Sequence, residues 1–153
     1  MVIALAGNQN CGKTTLFNRL TGARQHVGNW PGVTVEQKRG TLLSRWQTQE
    51  SQPVEIIDLP GVYSLAPFSQ EEEITRRFLL HGNFDVTANI VDATHLERHL
   101  YLTLQLLALG KPLVLALNLM DQARANGLRI DTSQLSRKLG VPVVPICART
   151  GEG

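Results

Sequence analysis

Apolar residues along this chain gather in short runs, separated by amphipathic stretches and by polar connections that carry glycine. Residues 2–6 (Val-Ile-Ala-Leu-Ala) form the first run and read as a buried strand. Residues 13–20 read as a helix closed by Gly22. Residues 23–34 are polar and glycine-rich with no clear period, as expected of a functional loop rather than a structural connection. Residues 35–43 and 54–57 read as two strands able to pair antiparallel, joined by the polar segment 47–52. Three helices follow, each opening with capping-box spacing or a close variant: Ser69 with Glu72, Thr94 with Glu97, Asp131 with Gln134. Gly82, Gly110 and Gly140 stand where those helices should stop. Strands are predicted between them near 86–91, 113–117 and 143–147. Alternation of this kind predicts an α/β fold, a doubly wound and mostly parallel sheet of about six strands with helices on both faces. Such a sheet normally carries one more helix after the last strand. The expectation is therefore a fragment of a longer chain with that helix missing.

Length and composition narrow the class without naming a function. The 153 residues suit one domain, here 1–153, with a substantial core. Lys and Arg number 15 against 13 Asp and Glu, with no basic block, so nucleic acid is not the expected partner. No apolar run approaches the ~18 residues of a membrane helix. Cys11 and Cys147 are far apart and form no CxxC pair, which suits a reducing compartment.

The chemistry starts at Gly7-Asn8-Gln9-Asn10-Cys11-Gly12-Lys13-Thr14, which fits G-x-x-x-x-G-K-[ST] between a strand and a helix. Glycines let backbone N–H groups turn inward around phosphate, and the helix N-terminus adds a positive dipole end. Lys13 is then expected on the β- and γ-phosphates and the Thr14 hydroxyl on Mg²⁺, with Thr15 next in the helix. About 50 residues on, Asp58-Leu59-Pro60-Gly61 closes a strand, where an Asp can hold Mg²⁺ through water and the Gly61 N–H can meet a γ-phosphate. Asn118-Leu119-Met120-Asp121 ends another strand. The Asp121 carboxylate matches the N1–H and N2–H₂ edge of guanine, which adenine lacks, and Asn118 can support the base. Cys147-Ala148-Arg149 follows the last strand, with the Ala148 N–H expected at the guanine O6 and Cys147 as a small buried residue. Thr34 is placed to complete the Mg²⁺ shell when a γ-phosphate is present, which would make residues 23–34 a switch loop.

Together these motifs resemble the P-loop small-GTPase fold of the translation-factor-related kind. Gly7 to Asn18, the segment Val27-Gly28-Asn29-Trp30-Pro31-Gly32-Val33-Thr34-Val35-Glu36, and Asp58 to Leu65 resemble more closely the N-terminal G domain of FeoB, the bacterial ferrous-iron transporter. Over essentially the whole chain, the resemblance implies GTP and GDP as ligands and GTP hydrolysis as the activity. It also implies a longer parent with a helical spacer and a polytopic membrane domain, at the cytoplasmic face of the inner membrane. Its transport domain would be a partner, and self-association through the switch loops is a further possibility. Two positions depart from the pattern: family members commonly carry Ser at the Cys11 position, and many GTPases carry Ser at that of Cys147.

Ras-like enzymes place a Gln after the D-x-x-G glycine to orient the attacking water. Val62 stands there and offers no such group, so hydrolysis would rest on Lys13, Mg²⁺ and loop backbone. The resemblance adds K⁺ beside the phosphates, held by the Asn10 side-chain oxygen and the Gly28 and Trp30 carbonyls, with Asn29 in the same nucleotide-facing stretch. Arg24 is the alternative source of charge, as a finger in cis. Other features are expected to be structural: His95 and His99 as solvated helix residues, Glu71-Glu72-Glu73 as an acidic first turn, and Leu96, Leu100, Leu104 and Leu107 as a core stripe. Trp30 is open between a partner contact and folding back on its own domain. Two other readings compete, a stand-alone ribosome-assembly or RNA-modification GTPase and a P-loop kinase. The first lacks a basic face, and Asn118 with Asp121 argue against the second.

Overall fold

The structure, a computed structural model, describes residues 1–22, 25–47, 52–66 and 68–153. Arg24 and most of the predicted connection 47–52 lie outside the described residues. The strands are β1 (Val2–Gly7), β2 (Gln25–Asn29), β3 (Glu36–Thr41), β4 (Glu55–Asp58), β5 (Val86–Asp92), β6 (Leu113–Asn118) and β7 (Val143–Pro145). The α-helices are α1 (Lys13–Thr21), α2 (Gln70–His81), α3 (Leu96–Ala108), α4 (Met120–Ala125) and α5 (Thr132–Leu139). The strands form one sheet in the order β2-β3-β4-β1-β5-β6-β7. β4, β1, β5, β6 and β7 run parallel, whereas β2 and β3 are antiparallel to their neighbours.

Alternation in the strands divides the core. Ala4, Ala6 and Ile57 face α2 and α3, where they meet Leu79, Leu102 and Leu106. Leu5, Ile56 and Ile90 face the other way and pack on Phe17 of α1. Farther along the sheet, Val91, Leu115 and Leu117 pack with Met120 and Ala123 of α4. The order reverses at β1, where the chain moves first toward β4 and later toward β5. Open α/β sheets bind ligands at such a switch point, beyond the carboxyl ends of the strands.

Several expectations hold in detail. Ser69 and Glu72 form a full capping box, and Asp131 accepts from the Gln134 N–H at 2.8 Å. Glu71, Glu72 and Glu73 occupy the first turn of α2, where the helix dipole favours them.

Others are corrected. The doubly wound, mostly parallel sheet is as expected, but part of the stretch read as a loop is a strand: Gln25–Asn29 pairs antiparallel with β3, giving seven strands among the described residues. The helix near Thr94 begins later: the Asp92 carboxylate caps a 3₁₀ turn at Ala93–His95 by accepting from the Thr94 N–H at 2.7 Å, and α3 follows. Of the predicted α3 stripe, Leu96, Leu100 and Leu107 pack against the core, whereas Leu104 is 56% exposed and Leu102 and Leu106 are the fully buried leucines. His99 is buried rather than solvated, and its Nδ1 accepts from the Asp92 N–H. Burial holds the His99 imidazole below its ordinary range. Finally, α4 starts at Met120, so Asp121 lies inside its first turn.

Trp30 folds back on its own domain. It is 7% exposed and meets Phe78 of α2 edge-on, with ring centroids 5.3 Å apart.

Candidate nucleotide-binding site

Gly7 ends β1, Asp58 ends β4, Asn118 ends β6 and Cys147 follows β7, so the motifs converge on one edge of the sheet. Two glycines shape the phosphate loop by close approach. A Cβ on Gly7 would lie 2.6 Å from the Ile90 carbonyl oxygen and 2.8 Å from Cys11 Sγ. Gly12 has φ 88°, and a Cβ there would lie 2.2 Å from Asn118 Nδ2. Asn10 adopts a left-handed φ of 63°, a conformation an Asn side chain tolerates better than most.

A cleft of about 490 Å³ opens above this loop. Asn8, Gln9, Asn10 and Gly12 line one side, and Lys13, Thr14, Thr15 and Gly61 complete it. Lys13 and Asp58 are buried and form an ion pair. The loop after β4 packs on the phosphate loop: the Val62 N–H donates to the Gly7 carbonyl at 3.1 Å, and Gly61 sits against Gln9. Val62 itself is buried in the core. The buried Asn8 Nδ2 has no partner among the described residues, a donor of the kind phosphate oxygens would satisfy.

The base side is built around Asn118. Its Nδ2 donates to the Cys11 carbonyl at 2.9 Å, and its Oδ1 accepts from the Ala148 N–H at 2.9 Å. One side chain thus ties the phosphate loop, β6 and the loop after β7 together. The Ala148 N–H, expected at the guanine O6, is engaged by Asn118 here and would have to be shared with a base. Asp121 Oδ2 accepts from Arg149 at 3.0 Å, while Oδ1 is buried with no partner among the described residues. The Arg149 guanidinium holds the Asp121 carboxyl below the usual carboxylate range. The ionised carboxylate is thus present at neutral pH, with one oxygen free to accept from an N–H edge.

The remaining predicted residues are not gathered at the cleft. Gly28 and Asn29 lie in β2, opposite Gln37 and Glu36. Trp30 is packed on Phe78, and Thr34 is exposed and lines none of the cleft above the phosphate loop.

Burial pushes the Cys11 thiol up to about 11 from an ordinary value of 9.0, so it is no nucleophile. A raised folded value means the protonated thiol contributes stability that is complete below pH 9.0 and lost as pH rises toward about 11. Denaturant midpoints should fall across that window in the wild type and fall less in Cys11→Ser. Alkylation by iodoacetamide at pH 8 should require unfolding.

The sequence profile of the family described as ferrous iron transport protein B (FeoB_N) matches residues 1–153. This chain belongs to the FeoB family. It is 52% identical to the Fe(2+) transporter FeoB of Salmonella typhimurium over 157 aligned residues, covering 100% of this chain and 20% of that protein. It is 53% identical to the Legionella pneumophila transporter, covering 97% of this chain and again 20% of the relative. The chain therefore spans about a fifth of the length of the curated relatives it matches. The cytosolic domain of L. pneumophila FeoB superposes with a TM-score of 0.93 at 54% identity, covering 100% of this chain and 59% of that one. An S. thermophilus NFeoB mutant bound to GDP gives 0.92 at 48% identity, covering 100% and 58%. The G domain of T. maritima FeoB gives 0.90 at 44%, covering 100% and 91%. The fold is thus that of FeoB G domains.

Two groups of functional interest in this FeoB domain escaped sequence reasoning. Arg19 on α1 donates to the carbonyls of Ala148 and Arg149 in the base-side loop. Thr103 donates to Asn89 Oδ1 at 2.6 Å, and Asn89 Nδ2 donates to the Ala6 carbonyl, which braces the strand that feeds the phosphate loop. Neither belongs to a motif, and each is defined by partners distant in sequence.

Proposed function

We propose that this domain binds GTP and GDP with Mg²⁺ and hydrolyses GTP slowly. Within a longer chain it would regulate ferrous iron movement through a membrane transport domain, from the cytoplasmic face of the inner membrane. The observation that carries the nucleotide reading is the Asn118 tie. Asn118 ties the phosphate loop to the segment that leads into Asp121, an ionised carboxylate with one buried oxygen unpartnered among the described residues, and this supports the reading. GDP bound in the S. thermophilus relative supports the ligand class.

On nucleotide entry the Lys13 ammonium exchanges Asp58 for β- and γ-phosphate oxygens. Asp58, Thr14 and Thr34 are the residues that would hold Mg²⁺, Asp58 through its carboxylate and the threonines through their hydroxyls. Mg²⁺ supplies neutralisation of phosphate charge. The Gly61 N–H steadies the γ-phosphate, and Val62 contributes no polar group to the attacking water. K⁺, held by the Asn10 side-chain oxygen and the Gly28 and Trp30 carbonyls, would supply the charge that an arginine finger supplies elsewhere. Thr34 and Trp30 would have to leave their present places, which is the movement expected of residues 23–34 as a switch loop. The switch loops are also the surface proposed for self-association.

The test is GTP turnover with Mg²⁺ in KCl and in NaCl at equal ionic strength, for wild type and Asn10→Ala. A K⁺-specific acceleration, lost in the variant, is expected. Equal rates in the two salts would remove Asn10 from catalysis.

A further inference from the structure

Arg19 lies in the last turn of α1, outside every nucleotide-binding motif, yet its guanidinium reaches across to the loop after β7. Its Nε–H donates to the Ala148 carbonyl at 2.6 Å, and its Nη2 donates to the next carbonyl, that of Arg149. Ala148 is thereby held from both sides, since its N–H donates to Asn118 Oδ1 at 2.9 Å. The chain beyond leaves room for this fork. Gly151 has φ 88°, and a Cβ there would lie 2.7 Å from Arg19 Nη1.

We propose that Arg19 is a positioning residue for guanine specificity, which fixes the loop 146–149 and couples it to the helix that carries the phosphate ligands. The proposal rests on the guanine-nucleotide reading above. A loop whose peptides can flip presents its N–H groups in several directions, and only some of them match a base edge. Two consecutive carbonyls drawn to one planar guanidinium leave the intervening peptides a single orientation, which a lysine ammonium on a flexible stem would not enforce. The same orientation sets the Arg149 side chain within reach of Asp121. Arg19 stands six residues after Lys13 on one helix, about 9 Å along its axis. Base-side and phosphate-side contacts are therefore fixed to one rigid element.

Arg19→Gln and Arg19→Lys separate this role from general support. GDP, ADP and inorganic pyrophosphate are titrated by calorimetry against the wild-type domain and both variants. Arg19→Gln should weaken GDP roughly ten- to hundredfold, the span of two charge-assisted hydrogen bonds that are partly replaced by water. Pyrophosphate, which needs only the phosphate loop, should bind within twofold of wild type, and the GDP-over-ADP preference should shrink. Arg19→Lys should fall between, keeping the charge and the fold but losing the fork. A wild-type preference for GDP that survives Arg19→Gln would overturn this proposal alone. So would a parallel loss of GDP and pyrophosphate, which would make Arg19 a support of α1. Wild-type protein that binds GDP and ADP alike would sink the guanine reading itself, and this proposal with it.

Discussion

Gly12→Ala is expected to abolish measurable nucleotide binding and to destabilise the domain by about 3 kcal/mol or more. Two effects combine. The φ of 88° is left-handed and costs a non-glycine residue about 1–2 kcal/mol. The added Cβ would also lie 2.2 Å from Asn118 Nδ2. Asn118 is buried and cannot retreat without releasing the Cys11 carbonyl and the Ala148 N–H, each worth about 1 kcal/mol. The damage should therefore reach both ends of the site. Gly110→Ala provides the control. Its φ is 68°, but a Cβ there meets nothing within 4 Å, so backbone strain alone remains and binding should be unchanged. Denaturant melts and GDP titration of the two variants check the contrast.

Lys13→Ala should cost about as much stability for a different reason. Lys13 and Asp58 are paired away from solvent, and removing one partner of a buried pair typically costs about 3–5 kcal/mol because the other charge is stranded. Asp58→Asn in the Lys13→Ala background removes the stranded charge. The double variant should regain most of the lost stability while GDP affinity stays at least about a hundredfold down, since the phosphates have lost their cation. If the double variant is no more stable than Lys13→Ala, the pair does not contribute as described.

The site was easier to read in the sequence than parts of its scaffold. Phosphate loop, Asp58-Leu59-Pro60-Gly61 and Asn118 to Asp121 are local strings whose chemistry needs fixed spacing, and all three meet at the sheet edge. Helix starts that depend on a side chain three residues away were equally visible at Ser69 and Asp131. β2 was hidden because an edge strand exposed at four of its five residues needs no apolar alternation, and Gln-His-Val-Gly-Asn has little. α3 was shifted because Asp92, rather than Thr94, captures the first free N–H groups. Along α3, Leu96, Leu100 and Leu107 pack on the core as the spacing predicted, while His99 is buried and Leu104 exposed. α4 spans only 6 residues and begins after a left-handed Leu119, too short for periodicity to show. The Arg19 fork joins residues about 130 positions apart, a relation that no local pattern encodes.

Calorimetric titration of the wild-type domain with GDP and with ADP, in the same Mg²⁺ buffer, tests the central claim most directly. A carboxylate that pairs with the guanine N1–H and N2–H₂ edge, and is left unpaired by adenine, predicts a preference for GDP of at least about a hundredfold. The preference should collapse in Asp121→Ala, with the residual affinity close to that for ADP. Equal affinities for GDP and ADP in the wild type would contradict the account.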